Sequence, residues 1–138
     1  MKDHATSPED RDFRTAFESC ALMPAQFNHE AHLRLAYVYL VENDVASAQE
    51  KMRGALLTFL QAHNIPPGKF HETLTRAWVL AVRHFMGRSP SASFPEFLAK
   101  SQALRDSKVM LTHYSAEVLF SPTARASYVE PDLEAIPQ

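Results

Sequence analysis

Apolar residues recur at helical rather than alternating spacing along almost the whole chain, and turn-forming residues separate the runs. Ser7-Pro8-Glu9-Asp10 reads as a helix start, with serine at the N-cap, proline at the first helical position and acids in the first turn. Phe13, Ala16, Phe17 and Cys20 follow at helical spacing, which predicts a helix over about 8–20 that ends before Pro24. Asn28 is the predicted N-cap of a second helix, over about 29–42. Its stretch from Leu33 to Val41 is apolar nearly all round, the mark of a helix buried on most sides.

Asn43-Asp44 restarts the chain. Val45, Ala48, Met52, Ala55, Leu56, Phe59 and Leu60 then form one stripe, while Gln49, Glu50, Lys51 and Arg53 face water. Asn64-Ile65-Pro66-Pro67-Gly68 is a stop. The next helix is predicted over about 69–86, with His71, Leu74, Thr75, Trp78, Val82 and Phe85 on its core stripe and an ion pair from Glu72 to Arg76. Ser93-Phe94-Pro95-Glu96 reads as a capping box for a short helix to about 100. Further helices are expected over about 101–112, 116–120 and 122–127. Residues 1–7 read as a flexible N-terminal tail and residues 128–138, with two prolines and three acids, as an extended C-terminal tail. Strand signals are weak throughout. The expected fold is therefore all-α, a single helical domain over 1–138 built as a bundle of about four principal helices with short capping helices.

Composition narrows the function classes without choosing one. Lys plus Arg is 14 and Asp plus Glu is 16, a formal charge of −2. That balance argues against a nucleic-acid partner gripped through its phosphates. No apolar run is long enough to span a membrane. The first residues, Met1 to Asp12, are charged and do not resemble a signal peptide. Cys20 is the only cysteine; it cannot form an internal disulfide, and it sits in an apolar run as a small hydrophobe. The expected compartment is the cytoplasm.

The candidate chemistry rests on where some of the seven histidines fall. His29 and His32 lie three apart on one helix face, so both rings can address one ion, although His29 as an exposed first-turn residue and His32 as a core histidine is the plainer reading. His71 shares the core stripe with Thr75 and Trp78, and Thr75 is a candidate hydrogen-bond partner for it. His113 sits near a helix junction, with Glu117 one turn further on. Three separate segments thus direct a histidine inward, and helical bundles build metal sites in that manner. His32, His71 and His113 are the expected metal ligands, with His29 or Glu117 as the fourth. Neutral imidazole suits iron, copper or zinc. Arg34, Tyr39, Thr75 and Trp78 are the expected substrate contacts, with Tyr37, Phe70 and Arg76 as further lining candidates. His4, His63 and His84 read as ordinary surface residues.

Other signatures are missing. There is no repeated Glu-x-x-His, no His-Glu-x-x-His, no Cys-x-x-Cys, no phosphate-binding glycine loop and no Gly-x-Ser-x-Gly. Three readings stay open. The first is a metal-binding helical protein acting as a small enzyme, with an open coordination position for substrate, oxygen or water. An oxygen-using iron or copper site is placed ahead of zinc hydrolysis, because no general base accompanies the histidines. The second is a non-enzymatic helical module that binds a small molecule or a partner helix, or pairs with a second copy of itself. The third is metal storage or sensing.

Overall fold

The computed structural model describes residues 3–137, and these contain seven α-helices, four 3-10 turns and no strand. The helices are α1 (Pro8–Glu18), α2 (His29–Glu42), α3 (Val45–Ala62), α4 (Glu72–Met86), α5 (Phe94–Ala99), α6 (Ala116–Leu119) and α7 (Pro122–Ala126). The fold is all-α. Most starts follow from a side-chain cap. Ser7, Asn28, Asp44, Ser93, Ser115 and Ser121 each accept the backbone N–H three residues on, which satisfies one of the orphan donors of a first turn.

Two helix ends share one device. After α1, Cys20 takes a left-handed conformation (φ 64°), its N–H donates to Phe17 O, and Ala21 N–H reaches back to Ala16 O. After α3, Asn64 (φ 57°) repeats the pattern, with its own N–H on Gln61 O and Ile65 N–H on Leu60 O. Both are Schellman closures, and Pro66 follows the second where the chain must leave the helix axis. Cys20 and Asn64 occupy the position that glycine favours, at a modest conformational cost.

Helix α2 runs through the middle. Leu33, Leu35, Ala36, Tyr37, Val38, Tyr39 and Leu40 are all buried, and α1, α3, α4 and α5 pack around it. An all-round apolar helix needs this surrounding position. The stripe of α3 delivers Ala48, Met52, Leu56 and Phe59 to the same core, and α4 delivers Ala77, Trp78, Val79 and Val82.

Several local expectations differ from the structure. The segment expected as one helix over 101–112 is two 3-10 turns, Gln102–Arg105 and Val109–Thr112. Asp106 lies between them, and its Oδ1 accepts Lys108 N–H at 2.9 Å, a local bond that competes with the helix ladder. Helix α4 begins at Glu72 rather than near 69, because Pro67–Lys69 closes its own 3-10 turn and leaves His71 as the cap. The N-terminal segment from Asp3 is pinned, not free: Ala5 N–H donates to Ser91 O and Ser91 N–H to Asp3 O, both at 3.0 Å. His4 is buried there, with Nε2–H on Met86 O and Nδ1 against Ser91 Oγ at 2.7 Å, while Tyr37 Oη donates to Ala5 O at 2.8 Å. The C-terminal stretch is docked as well: Tyr114 Oη donates to Val129 O, Leu133 N–H donates to His113 O, and Ile136 is buried. The expected ion pair also changes partner. Glu72 meets Arg53 at 3.4 Å, and Arg76 lies over the Tyr128 ring at 4.6 Å. Exposed i,i+4 pairs contribute only a few tenths of a kcal/mol, so a neighbouring element readily diverts one.

Candidate functional site

The first turns of α2 and α4 open onto a shared cleft of about 310 Å³. The segment leading into α2 supplies Phe27, and α2 itself supplies His32. Helix α3 supplies Leu56, Phe59 and Leu60, and the α3–α4 connection and α4 start supply Ile65, Lys69, Phe70, His71 and Thr75. Its inner wall is aromatic. Phe17 stacks on Phe59 at 4.6 Å, and Phe27 packs against both at 4.7 and 5.7 Å. The volume lies at the small end of the range typical of ligand sites, about 300–1,000 Å³.

His32 is the polar group set among these rings. Its ring meets Phe27 edge-on at 5.8 Å and makes no hydrogen bond to any described residue. Removal from water holds its pKa at about 4, with a smaller contribution from His29 one turn away. The ring is therefore neutral at pH 7, with one donor and one acceptor nitrogen. His71 is locked differently. Its Nδ1 accepts Leu74 N–H at 3.1 Å as the cap of α4, and its Nε2–H donates to Leu119 O at 2.7 Å. These two partners fix one neutral tautomer and use both nitrogens. Burial lowers its pKa first, the bond to Leu119 opposes that, and Arg125 lowers it further.

The cleft gathers His32, His71 and Thr75, with Phe70 from the further lining candidates, and leaves the other expected residues elsewhere. Thr75 lines the cleft but is not the partner of His71. His113 lies in a second cleft with His84, Met110 and Ile136, where its Nδ1–H donates to Glu134 O at 2.8 Å. The break at Asp106 and the docked C-terminal stretch hold it there. His29 turns its edge to Trp78 at 4.6 Å and donates from Nε2 to Leu104 O at 2.8 Å. Glu117 is exposed in the first turn of α6 and lines neither cleft. Among the described residues no group of three or more His, Cys, Asp or Glu converges to hold a metal ion. The expected ligand set His32–His71–His113 is thus dispersed, and the nitrogens of His71 are already engaged.

The other expected substrate contacts lie outside this cleft and make bonds within the fold. Arg34 pairs with the buried Asp10 at 2.9 Å. Tyr39 is buried and donates to Glu18, and burial followed by that carboxylate raises its pKa. Trp78 is buried against His29. The histidines read as surface residues also differ from that reading. His4 is buried, His84 lines two clefts, and His63 packs on Phe59 at 4.5 Å with Nε2 enclosed and unpartnered among the described residues. Lys69 and Phe27 carried no local signal for a site, since only the folded chain sets them across from His32.

No helix of the described residues is long and apolar enough to cross a membrane. No family model, no curated protein and no solved structure matches the chain.

A pH dependence follows from His32. Its pKa is about 4 in the fold against 6.5 for an ordinary imidazole. As pH falls, the unfolded chain takes up the proton first, so this share of stability is complete above about pH 6.5, shrinks through the acid range and levels below about pH 4. At about 1.4 kcal/mol per pKa unit, the loss approaches about 3 kcal/mol. Urea unfolding at neutral pH and near pH 4 measures it. His32→Phe is expected to flatten that acid slope; identical slopes in the two proteins would show that the ring is not shielded as described.

Proposed function

We propose that this chain is a non-enzymatic helical module that binds a small, largely apolar molecule in the cleft of His32, Phe27 and Phe59. The observation that carries this reading is His32: a neutral imidazole set among aromatic rings with both nitrogens uncommitted among the described residues. Neither ring nitrogen is sealed from solvent, so a ligand bearing one hydrogen-bonding group can engage the ring directly from the cleft. An apolar wall with few polar groups is the usual make-up of a small-molecule site.

Titration with N-phenylnaphthylamine, a neutral aromatic amine whose emission rises in apolar surroundings, tests the proposal. Saturable binding with one site per chain is expected. Leu60→Trp, which fills the cleft, is expected to abolish it while unfolding stays cooperative. No saturable binding by the unaltered protein, or equal binding by the Leu60→Trp variant, would overturn the proposal. The competing reading is a transition metal held by histidine, and the one-turn spacing of His29 and His32 is what favours it. Element analysis of the purified protein decides between them. One stoichiometric iron, copper or zinc, lost on replacing His29 and His32 by alanine, would put the metal reading first.

A further inference from the structure

We infer that the ligand of the Phe27–His32–Phe59 cleft is an amphipathic organic anion, a carboxylate or sulfonate on an aromatic or aliphatic body, whose charged group is met at the mouth by Lys69. This inference rests on the binding reading above and adds the chemical class of the ligand.

Charge distribution around the mouth carries it. Lys69 is the one formally charged side chain in the lining, and no acid lines the cleft. Lys69 is exposed and has neither an ion pair nor a side-chain hydrogen bond among the described residues. Arg125 stands beside it: its Nη1 donates to Gly68 O, the carbonyl immediately before Lys69, at 3.0 Å. Arg125 likewise has no carboxylate partner among the described residues. It is also close enough to His71, which lines the cleft, to disfavour a proton on that ring. The nearest carboxylate along the chain, Glu72, is engaged by Arg53, whose guanidinium also lies 6.0 Å from the Phe70 ring. One unbalanced positive charge, Lys69, therefore lines the mouth, and a second, Arg125, is fastened to the carbonyl just before it, in a chain whose formal net charge is −2.

The depth of the cleft is the opposite in character. Phe27, Leu56, Phe59, Leu60 and Ile65 offer no charge, and His32 is neutral. An apolar body fits inward and an anionic group fits outward. A cation of the same shape would meet Lys69 and Arg125 with like charge. The charge-assisted contact is strongest where the body of the ligand excludes water from the lip.

Two probes of similar shape test the inference on the full-length protein: anilinonaphthalene sulfonate, which is anionic, and N-phenylnaphthylamine, which is neutral. The sulfonate is expected to bind more tightly, with added salt weakening the sulfonate alone. Lys69→Met is expected to lower sulfonate affinity about tenfold, a clearly larger loss than the neutral probe suffers. Because the Lys69 side chain makes no bond to a described residue and its backbone bond to Pro66 O survives the change, the variant keeps its unfolding midpoint, which serves as the control. Decanoate should displace the bound sulfonate, and decanol should do so far less. If the neutral probe binds but Lys69→Met leaves the sulfonate unchanged, or if decanol competes as well as decanoate, the anion inference falls and the cleft still binds ligands. If neither probe binds, the cleft reading itself falls.

Discussion

Asp10→Ala is expected to destabilise the protein by about 3–5 kcal/mol, the range for breaking a buried ion pair from one side. The Asp10 carboxylate is fully buried and every bond it makes is to a donor. Oδ2 accepts Ser7 N–H at 3.0 Å and Phe94 N–H at 2.9 Å, and Oδ1 accepts Arg34 Nε at 3.0 Å and Nη2 at 2.9 Å. One side chain thus closes the start of α1, caps a donor at the start of α5 and holds an arginine from α2. Arg34 is itself sandwiched over Phe13 and Phe94, at 5.3 and 6.0 Å, and only a quarter of its side chain is exposed. Removing the carboxylate leaves two backbone donors and a guanidinium short of an acceptor. Asp10→Asn should recover little, because an amide keeps one acceptor oxygen and turns its NH₂ toward a donor. Urea unfolding of Asp10→Ala, Arg34→Met and the double variant checks this. The double variant is expected to be less destabilised than the sum of the singles by about 1.5–3 kcal/mol. A loss below about 1 kcal/mol for Asp10→Ala would mean that water replaces the carboxylate at this junction.

Asp10 also shows where a sequence reading stops. Ser7-Pro8-Glu9-Asp10 announces the helix start, and the capping box forms with Ser7 and Asp10 in their expected roles. The long-range bonds to Arg34 and Phe94 have no local signature, since a first-turn acid is equally well explained by the helix dipole. The same division holds for the candidate site. Helical spacing puts His32 and Thr75 each on the inward stripe of its own helix, and in the fold both line the cleft. It put His71 on the core stripe of α4. The residue is in fact the N-cap, a position that histidine seldom fills and that no cap rule flags. His113 was read at a helix junction. The bond from Asp106 to Lys108, and the docking of residues 129–136 by Leu133 N–H and Ile136, set it in another cleft. Three inward histidines on three segments are a fact of spacing, whereas their convergence depends on loop conformations that spacing does not encode. Lys69 and Arg125 are brought together by a bond to a backbone carbonyl, so their shared lip could be seen only in the fold.

Trp78→Ala is expected to cost about 3–5 kcal/mol, as for other large-to-alanine changes in a packed core. Trp78 is 4% exposed and meets α2 through His29, where α4 packs on the central helix. Its ring supports His29 edge-on at 4.6 Å, and His29 in turn donates to Leu104 O across the start of α2. The indole therefore fills core volume and also holds the ring that ties α2 to the turn over Gln102–Arg105. Collapse around an alanine is limited, because Ala77 and Val79 on the same helix and Leu33 on α2 are already fully buried and have little room to shift. The loss should appear as a lower urea midpoint with an unchanged slope, the sign of lost stability rather than altered compactness. Trp78 is also the only tryptophan, so its emission reports this one site. A blue-shifted maximum is expected in the native protein, moving to the red on unfolding. His29→Ala should lower stability by less than Trp78→Ala does, because it removes one hydrogen bond and one ring contact and leaves the indole in place. A water-like emission maximum in the folded protein, or a loss under about 1 kcal/mol for Trp78→Ala, would place the indole at the surface and contradict the packing of α4 on α2.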